Sequence, residues 1–97
     1  MNAPTVTLGD IQAKIVKTEY WVIPDTTVTI CMITLENGFS VRGESACVSK
    51  ETFNIALGEK YAYEKAFDKI WELEGYLLAN KLWLNRQIEN LASALAD

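Results

Sequence analysis

The sequence predicts an α+β fold with a short N-terminal helix, a three-stranded antiparallel meander and a long C-terminal helical region. Two observations carry this prediction. Residues 15–35 are crowded with β-branched and aromatic side chains and are followed by an Asn-Gly pair, the strongest short hairpin signal. From residue 50 onward, apolar residues recur at helical spacing instead. We therefore expect one domain over 1–97, with its sheet over about 15–46 and its helical region over about 50–96.

A short helix is expected over about 7–14. Thr7 can cap its first turn, and Asp10 occupies the third helical position, as in a capping box. Leu8, Ile11 and Ile15 then share one face of this helix, whereas Gly9 weakens it.

The first two strands are expected over about 15–23 and 26–35. The first strand alternates polar and apolar residues, which indicates that it is half-buried. It ends at the turn signal Pro24-Asp25. The second strand has apolar residues on both faces. It is therefore expected to be central and covered on both sides.

Asn37-Gly38 joins the second strand to a third, because both residue types tolerate positive φ. The third strand is expected over about 39–45, with Phe39 and Val41 pointing inward. Its outward positions are Ser40, Arg42 and Glu44.

The helical region is expected to begin after Ser49, a good N-cap residue. Gly58 is either a flaw in the helix or a place of close packing. Gly75 is a weak point at which the region bends or breaks, so one helix and two helices both remain open. Four further residues repeat at heptad-like spacing and can pack on the domain or on a twin subunit: Leu84, Ile88, Leu91 and Leu95.

The amino-acid composition indicates which classes of partner are expected and which are not. Hydrophobic residues make up 49% of only 97 residues, which predicts a homo-oligomer that buries apolar surface between subunits. Nine basic against thirteen acidic residues disfavour a duplex nucleic acid partner. There is no apolar run long enough to span a membrane, and residues 1–5 do not resemble a signal peptide. A cytosolic protein is expected.

The sequence contains no signature of catalysis. It has no histidine, so no serine or cysteine has the usual general base. Phosphate-binding loops and metal-ligand spacings are also missing. Cys31 and Cys47 are expected to be buried thiols, with a disulfide between them left open. We therefore expect a protein that is not an enzyme and that has no cofactor and no metal.

Three basic residues could form one wall of an anion pocket. Lys65 and Lys69 lie four residues apart on one helix face, and Arg42 comes from the third strand. The alternative is a solvated charged surface.

Aromatic and polar residues could complete that pocket. Trp71 and Tyr76 could stack on a base, unless they pack in the core or an interface. Asn85 and Arg86, beside Trp83, could reach a ligand across a subunit interface, unless they are simply exposed.

Two sequence blocks together resemble the small podophage accessory-protein family of unknown function. The first block runs from Thr34 through Glu-Asn-Gly-Phe-Ser-Val-Arg-Gly-Glu-Ser-Ala-Cys to Val48, and the second is Lys69-Ile-Trp-Glu-Leu-Glu-Gly-Tyr-Leu-Leu78. The resemblance covers about 10–82. In that family a proline often follows the Ile-Trp pair. This chain has Glu72 at that position, so the resemblance does not decide whether the helix breaks there.

A weaker similarity is to phage anti-defence sponge proteins, which oligomerise and sequester cyclic nucleotide or cyclic ADP-ribose signals. It implies a nucleotide-derived ligand, held without chemistry in the cytosol of a bacterial host. The alternative is a protein-binding module that inhibits or redirects a host protein through its apolar helix face.

Overall fold

The computed structural model describes residues 4–96 and has the α+β architecture expected from the sequence. Residues 1–3, used above in discounting a signal peptide, lie outside this range. The elements, in chain order, are α1 (Leu8–Lys14), β1 (Ile15–Val22), β2 (Val28–Leu35), β3 (Ser40–Ala46), a 3₁₀ turn (Lys50–Thr52) and α2 (Ile55–Ala96).

The capping box that was expected at α1 is present. The Asp10 amide donates to Thr7 Oγ1 at 3.1 Å, and the Thr7 amide donates to Asp10 Oδ2 at 2.9 Å. The bond from the Thr7 amide lowers the pKa of the Asp10 carboxyl. The cap directs fully buried Ile11 into the core, whereas Leu8 on the first turn stays exposed.

The three strands form an antiparallel meander in the order β1-β2-β3, so β2 is central as expected. Pro24-Asp25 turns the chain between β1 and β2, and Asp25 has φ 63°. The Thr26 amide donates to the Ile23 carbonyl at 3.1 Å, as in a type II turn.

The second hairpin is confirmed, but its turn differs from the one expected. Of the Asn37-Gly38 pair, only Gly38 has positive φ, at 88°, and the Gly38 amide donates to the Leu35 carbonyl at 2.9 Å. This is a type I turn followed by a glycine bulge. The extra residue places Phe39 before β3, where its amide bonds to Asn37 Oδ1 at 3.0 Å. The inward placement of Phe39 was therefore wrong, since its side chain is 55% exposed.

One face of the sheet packs against α2. Along β2 the buried residues are Thr29, Cys31, Ile33 and Leu35, and the residues between them are half-buried. The expectation that β2 is covered on both sides was wrong for this chain, because α2 lies on one face only. β1 contributes less to the core, since Val16 and Trp21 are exposed.

The C-terminal region is one continuous helix of 42 residues, with no break at Gly75. It also begins later than expected. Ser49 caps only the 3₁₀ turn, where the Glu51 amide donates to Ser49 Oγ at 3.2 Å. Asn54 caps α2 itself, because its Oδ1 accepts from the Leu57 amide at 3.1 Å.

Glycines let α2 lie very close to the sheet. A Cβ atom on Gly43 of β3 would overlap the Ala62 carbonyl oxygen and the Ala66 amide nitrogen. A Cβ atom on Gly58 of α2 would lie 2.6 Å from Thr29 Oγ1. Of the two roles considered for Gly58, the structure therefore shows close packing. Ser45 Oγ adds a hydrogen bond to the Gly58 carbonyl at 2.7 Å.

Candidate functional site

No element within residues 4–96 covers the face of the sheet away from α2, and this face is largely apolar at its centre. We call it the open face. The strand register places Trp21 of β1 beside Ile30 of β2, with Met32 and Val28 on the same face. Trp21 is 46% exposed, and the three β2 residues are half-buried. A sheet face that meets only water usually carries polar residues instead.

Charged residues border this apolar centre on both edge strands. Lys17 and Glu19 of β1 form an ion pair at 3.4 Å. On β3, Arg42 lies across from Met32 and Glu44 lies across from Ile30. An apolar centre within a polar rim is the usual anatomy of a protein interface.

The structure brings two of the expected ligand residues together. Lys69 Nζ donates to the backbone carbonyl of Arg42, so the lysine reaches from α2 to the outer edge of β3. Both residues line a cleft of about 330 Å³, together with Ile30, Gly43 and Glu44. The Glu44 carboxylate disfavours an anion there, because it brings negative charge into the same cleft.

The other expected ligand residues lie elsewhere. Lys65 is exposed one turn before Lys69 but does not line the cleft. Trp71 follows Lys69 by two residues and so points away from it around the helix. It packs edge-on against Phe67, with ring centroids 6.2 Å apart.

Tyr76, Asn85 and Arg86 are also exposed on α2. Asn85 lies about 24 Å along the helix from Lys69, at 1.5 Å per residue. Within one chain, the expected residues therefore do not form one pocket.

A different pair gives a structural role to Glu74, a residue of the second sequence block. Glu74 is 8% exposed and accepts a hydrogen bond from Lys14 Nζ at 2.6 Å. That bond raises the pKa of Lys14. The pair ties α1 to α2 at the edge of a cleft of about 530 Å³, which Asp10, Glu36 and Lys81 also line. Glu74 thus has a structural partner 60 residues away.

The two cysteines are free and differ in environment. Cys31 is fully buried, and burial raises the pKa of its thiol. Cys47 is only partly buried, so the expectation of two buried thiols was wrong for it. Its Sγ lies 3.2 Å from Thr52 Oγ1, which lowers the pKa of the Cys47 thiol.

We expect iodoacetamide to alkylate Cys47 quickly and Cys31 only on unfolding, because the exposed thiolate is the reactive species. Mass spectrometry of native protein over time measures both rates. Thr52→Val should slow the reaction of Cys47, since it removes the hydroxyl that stabilises the thiolate. Equal rates at both cysteines would contradict this assignment.

Sequence reasoning missed the open face, although its signal was visible. The apolar residues on both faces of β2 were interpreted as burial on both sides, whereas one set is open to solvent in this chain. Glu44 was placed outward correctly but not assigned to a cleft. The Lys14–Glu74 pair carried no local signal, because its partners are far apart in sequence.

No helix within residues 4–96 is long and apolar enough to cross a membrane. No group of three or more potential metal ligands occurs among these residues.

A model of the Phage protein (N4 Gp49/phage Sf6 gene 66) family matches residues 6–82 of the 97, which span α1, the sheet and α2 as far as Leu82. No curated protein and no solved structure matches the chain. The resemblance to a small phage family is therefore confirmed, while the similarity to sponge proteins finds no support in these matches. Since the family model covers most of the chain, the protein belongs to the Phage protein (N4 Gp49/phage Sf6 gene 66) family.

Proposed function

We propose that this phage protein is a non-enzymatic accessory protein that binds a host protein, in the bacterial cytosol, through the open face of its sheet. The observation that carries the proposal is the composition of that face. Trp21, Ile30 and Met32 form an apolar centre that α2 leaves uncovered. Exposed apolar patches with a polar rim mark interaction sites, and Trp is enriched among the residues that dominate binding energy.

The rim favours a protein over a nucleic acid. Lys17 and Arg42 are balanced by Glu19 and Glu44, so the face has no basic character. The absence of histidine from the sequence agrees with binding rather than catalysis. The site expected by sequence reasoning, an apolar helix face, is therefore replaced in this proposal by a sheet face.

Affinity capture from a bacterial host lysate, with chemical cross-linking, tests this function. We expect the native protein to retain a host protein, and Trp21→Lys with Met32→Lys to lose at least about nine tenths of it, because both charges fall at the apolar centre. Val48→Lys is the matched control, since it changes a fully exposed apolar residue outside the face. Circular dichroism verifies that each bait is folded. Equal capture by native and Trp21→Lys/Met32→Lys protein would refute the proposal.

A second candidate is the sponge for a nucleotide-derived immune signal. One observation favours it, namely that Arg42 and Lys69 converge on one cleft. An arginine and a lysine together suit a phosphate group. We rank it second because Glu44 lines the same cleft and Trp71 points elsewhere.

Titration calorimetry with cyclic nucleotides and cyclic ADP-ribose isomers tests the second function. If the protein is a sponge, one of these ligands should bind. Arg42→Ala and Lys69→Ala should each weaken that binding by at least about tenfold, as expected for the loss of a charged hydrogen bond to phosphate. Lys60→Ala removes the same charge away from the cleft and should leave binding unchanged. A panel without any binding ligand would exclude the sponge.

A further inference from the structure

Helix α2 is longer than the sheet that it covers. Its 42 residues correspond to about 63 Å at 1.5 Å per residue, and the molecule measures 73 × 26 × 21 Å. The buried residues of α2 all lie between Ala62 and Glu74, and Leu78 and Leu82 are half-buried. Every residue from Trp83 to Ala96 is exposed. We call residues 77–96 the overhang.

The apolar stripe that packs on the sheet continues along the overhang. Leu77 follows buried Ile70 by seven residues, or about two turns, and so shares its face. From Leu77 the stripe continues at alternating steps of four and three residues, through positions 77, 81, 84, 88, 91 and 95. Five of these six positions carry leucine or isoleucine, and the sixth is Lys81. We call these six positions the seam. Leu84 is 46% exposed and Ile88 is 65% exposed, so from Leu84 onward nothing in residues 4–96 covers the seam.

A projecting helix of this kind is marginal in water, since most helix stability in proteins comes from packing of an apolar face. The charge pattern indicates which partner fits. Positions beside the seam carry no charged side chain: they are Leu78, Asn80, Asn85, Gln87, Ala92 and Ala94. In a pair of identical helices, charged residues at these positions would face like charges and repel one another. Because these positions are uncharged, no such repulsion opposes pairing with a second copy.

We infer that two copies of this chain pair through their overhangs, with the two α2 helices antiparallel and centred near residue 86. The orientation follows from where the sheet lies. Sheet and seam occupy the same face of one helix, so in a parallel pair each sheet would collide with the other α2. In an antiparallel pair each overhang fills the space beyond the other sheet.

The spacing of the seam agrees with this orientation, because its steps are symmetric about residue 86. Leu84 of one copy then faces Ile88 of the second copy, and Leu77 faces Leu95. Lys81 faces Leu91, where its methylene groups can lie on the leucine while the ammonium group reaches solvent. Most of this seam lies beyond the residues that match the family model. The pairing is independent of the open face, which leaves that face free for a host partner.

Sedimentation equilibrium tests the pairing. We expect a dimer for the native chain, and Leu84→Glu with Ile88→Glu to weaken dimerisation by at least about a hundredfold, because unpaired carboxylates would be buried in an apolar seam. Ser93→Glu, on the opposite side of the same helix, should dimerise like the native chain. A native monomer, or equal dimerisation of the Leu84→Glu/Ile88→Glu chain, would overturn the inference.

Disulfide cross-linking in a Cys47→Ser background tests the orientation. In the antiparallel pair Leu77→Cys/Leu95→Cys should form a covalent dimer, because residues 77 and 95 face each other. Each single variant should remain uncross-linked, since equivalent residues lie about 27 Å apart along the axis. Rapid cross-linking by Leu95→Cys alone would show a parallel pair and overturn the antiparallel arrangement. These outcomes do not depend on host-protein capture, so they separate the two proposals.

Discussion

Replacing Gly43 with alanine is expected to lower the free energy of unfolding by about 3 kcal/mol, at the upper end of what overpacking usually costs. The new methyl group would overlap the Ala62 carbonyl oxygen and the Ala66 amide nitrogen, and would lie 2.9 Å from the Lys65 carbonyl carbon. All three atoms belong to the helix backbone, so no side chain can move aside. Helix α2 would have to lift from β3.

Thermal unfolding followed by circular dichroism measures this effect, at one protein concentration for all variants. The melting temperature should fall by more than about 12 °C in a domain of this size. Gly75→Ala is the matched control, because nothing lies within 4 Å of the added methyl group. It should stabilise the helix by about 1 kcal/mol. A Gly43→Ala chain that melts like the native chain would contradict the close helix–sheet approach.

Replacing Lys14 with methionine is expected to cost about 1–3 kcal/mol, because it leaves the nearly buried Glu74 carboxylate without its partner. A fully buried pair would cost more, but the Lys14 side chain is 37% exposed. Urea unfolding at neutral pH measures the change. Lys14→Met/Glu74→Met should be more stable than Lys14→Met alone, since removing both charges removes the unpaired carboxylate. If Lys14→Met unfolds like the native chain, the pair contributes nothing.

The pH dependence gives an independent check on the same pair. The hydrogen bond to Glu74 raises the pKa of Lys14 above its ordinary value, so the folded chain holds this proton more tightly than the unfolded chain. The resulting stability is fully present below the unfolded lysine pKa, about 10.4, and is lost as the pH rises through the higher folded pKa. The difference between native protein and Lys14→Met should therefore stay constant from pH 7 to about 9.5 and shrink above about 10.4.

The elements that were predicted best are those specified by neighbouring residues. The capping box needs only Thr7 and Asp10, and the turn between β1 and β2 needs only Pro24 and Asp25. Gly38 specified the second hairpin, although the turn took a different form. Such features depend on hydrogen bonds across three or four residues, which a sequence pattern displays directly.

The predictions that failed concern longer contacts. Phe39 was expected inside, yet it lies just before β3 and is 55% exposed. Cys47 was expected to be a buried thiol, yet the loop after β3 leaves it partly exposed beside Thr52. Helix α2 was expected to follow Ser49, yet Asn54 caps it five residues later.

The candidate site was predictable only in part. Arg42 and Lys69 line one cleft, but Lys69 reaches the backbone carbonyl of Arg42, a contact that neither strand alternation nor helix periodicity indicates. The distance from Lys69 to Asn85 along the helix depended on α2 being one continuous element rather than two. The apolar residues of the open face were visible in the sequence, but a sequence cannot show which apolar strand face remains uncovered.

By itself, the sequence determined the fold class, the three strands and the positions of their turns, the first helix and the lack of a histidine. These depend on local hydrogen bonding and on the period of the apolar residues. Only the tertiary structure decided that Gly43 meets the α2 backbone, that Lys14 pairs with Glu74, and that no residue from 4 to 96 covers the open face or the seam from Leu84 onward. Those features depend on which distant residues meet in the folded chain.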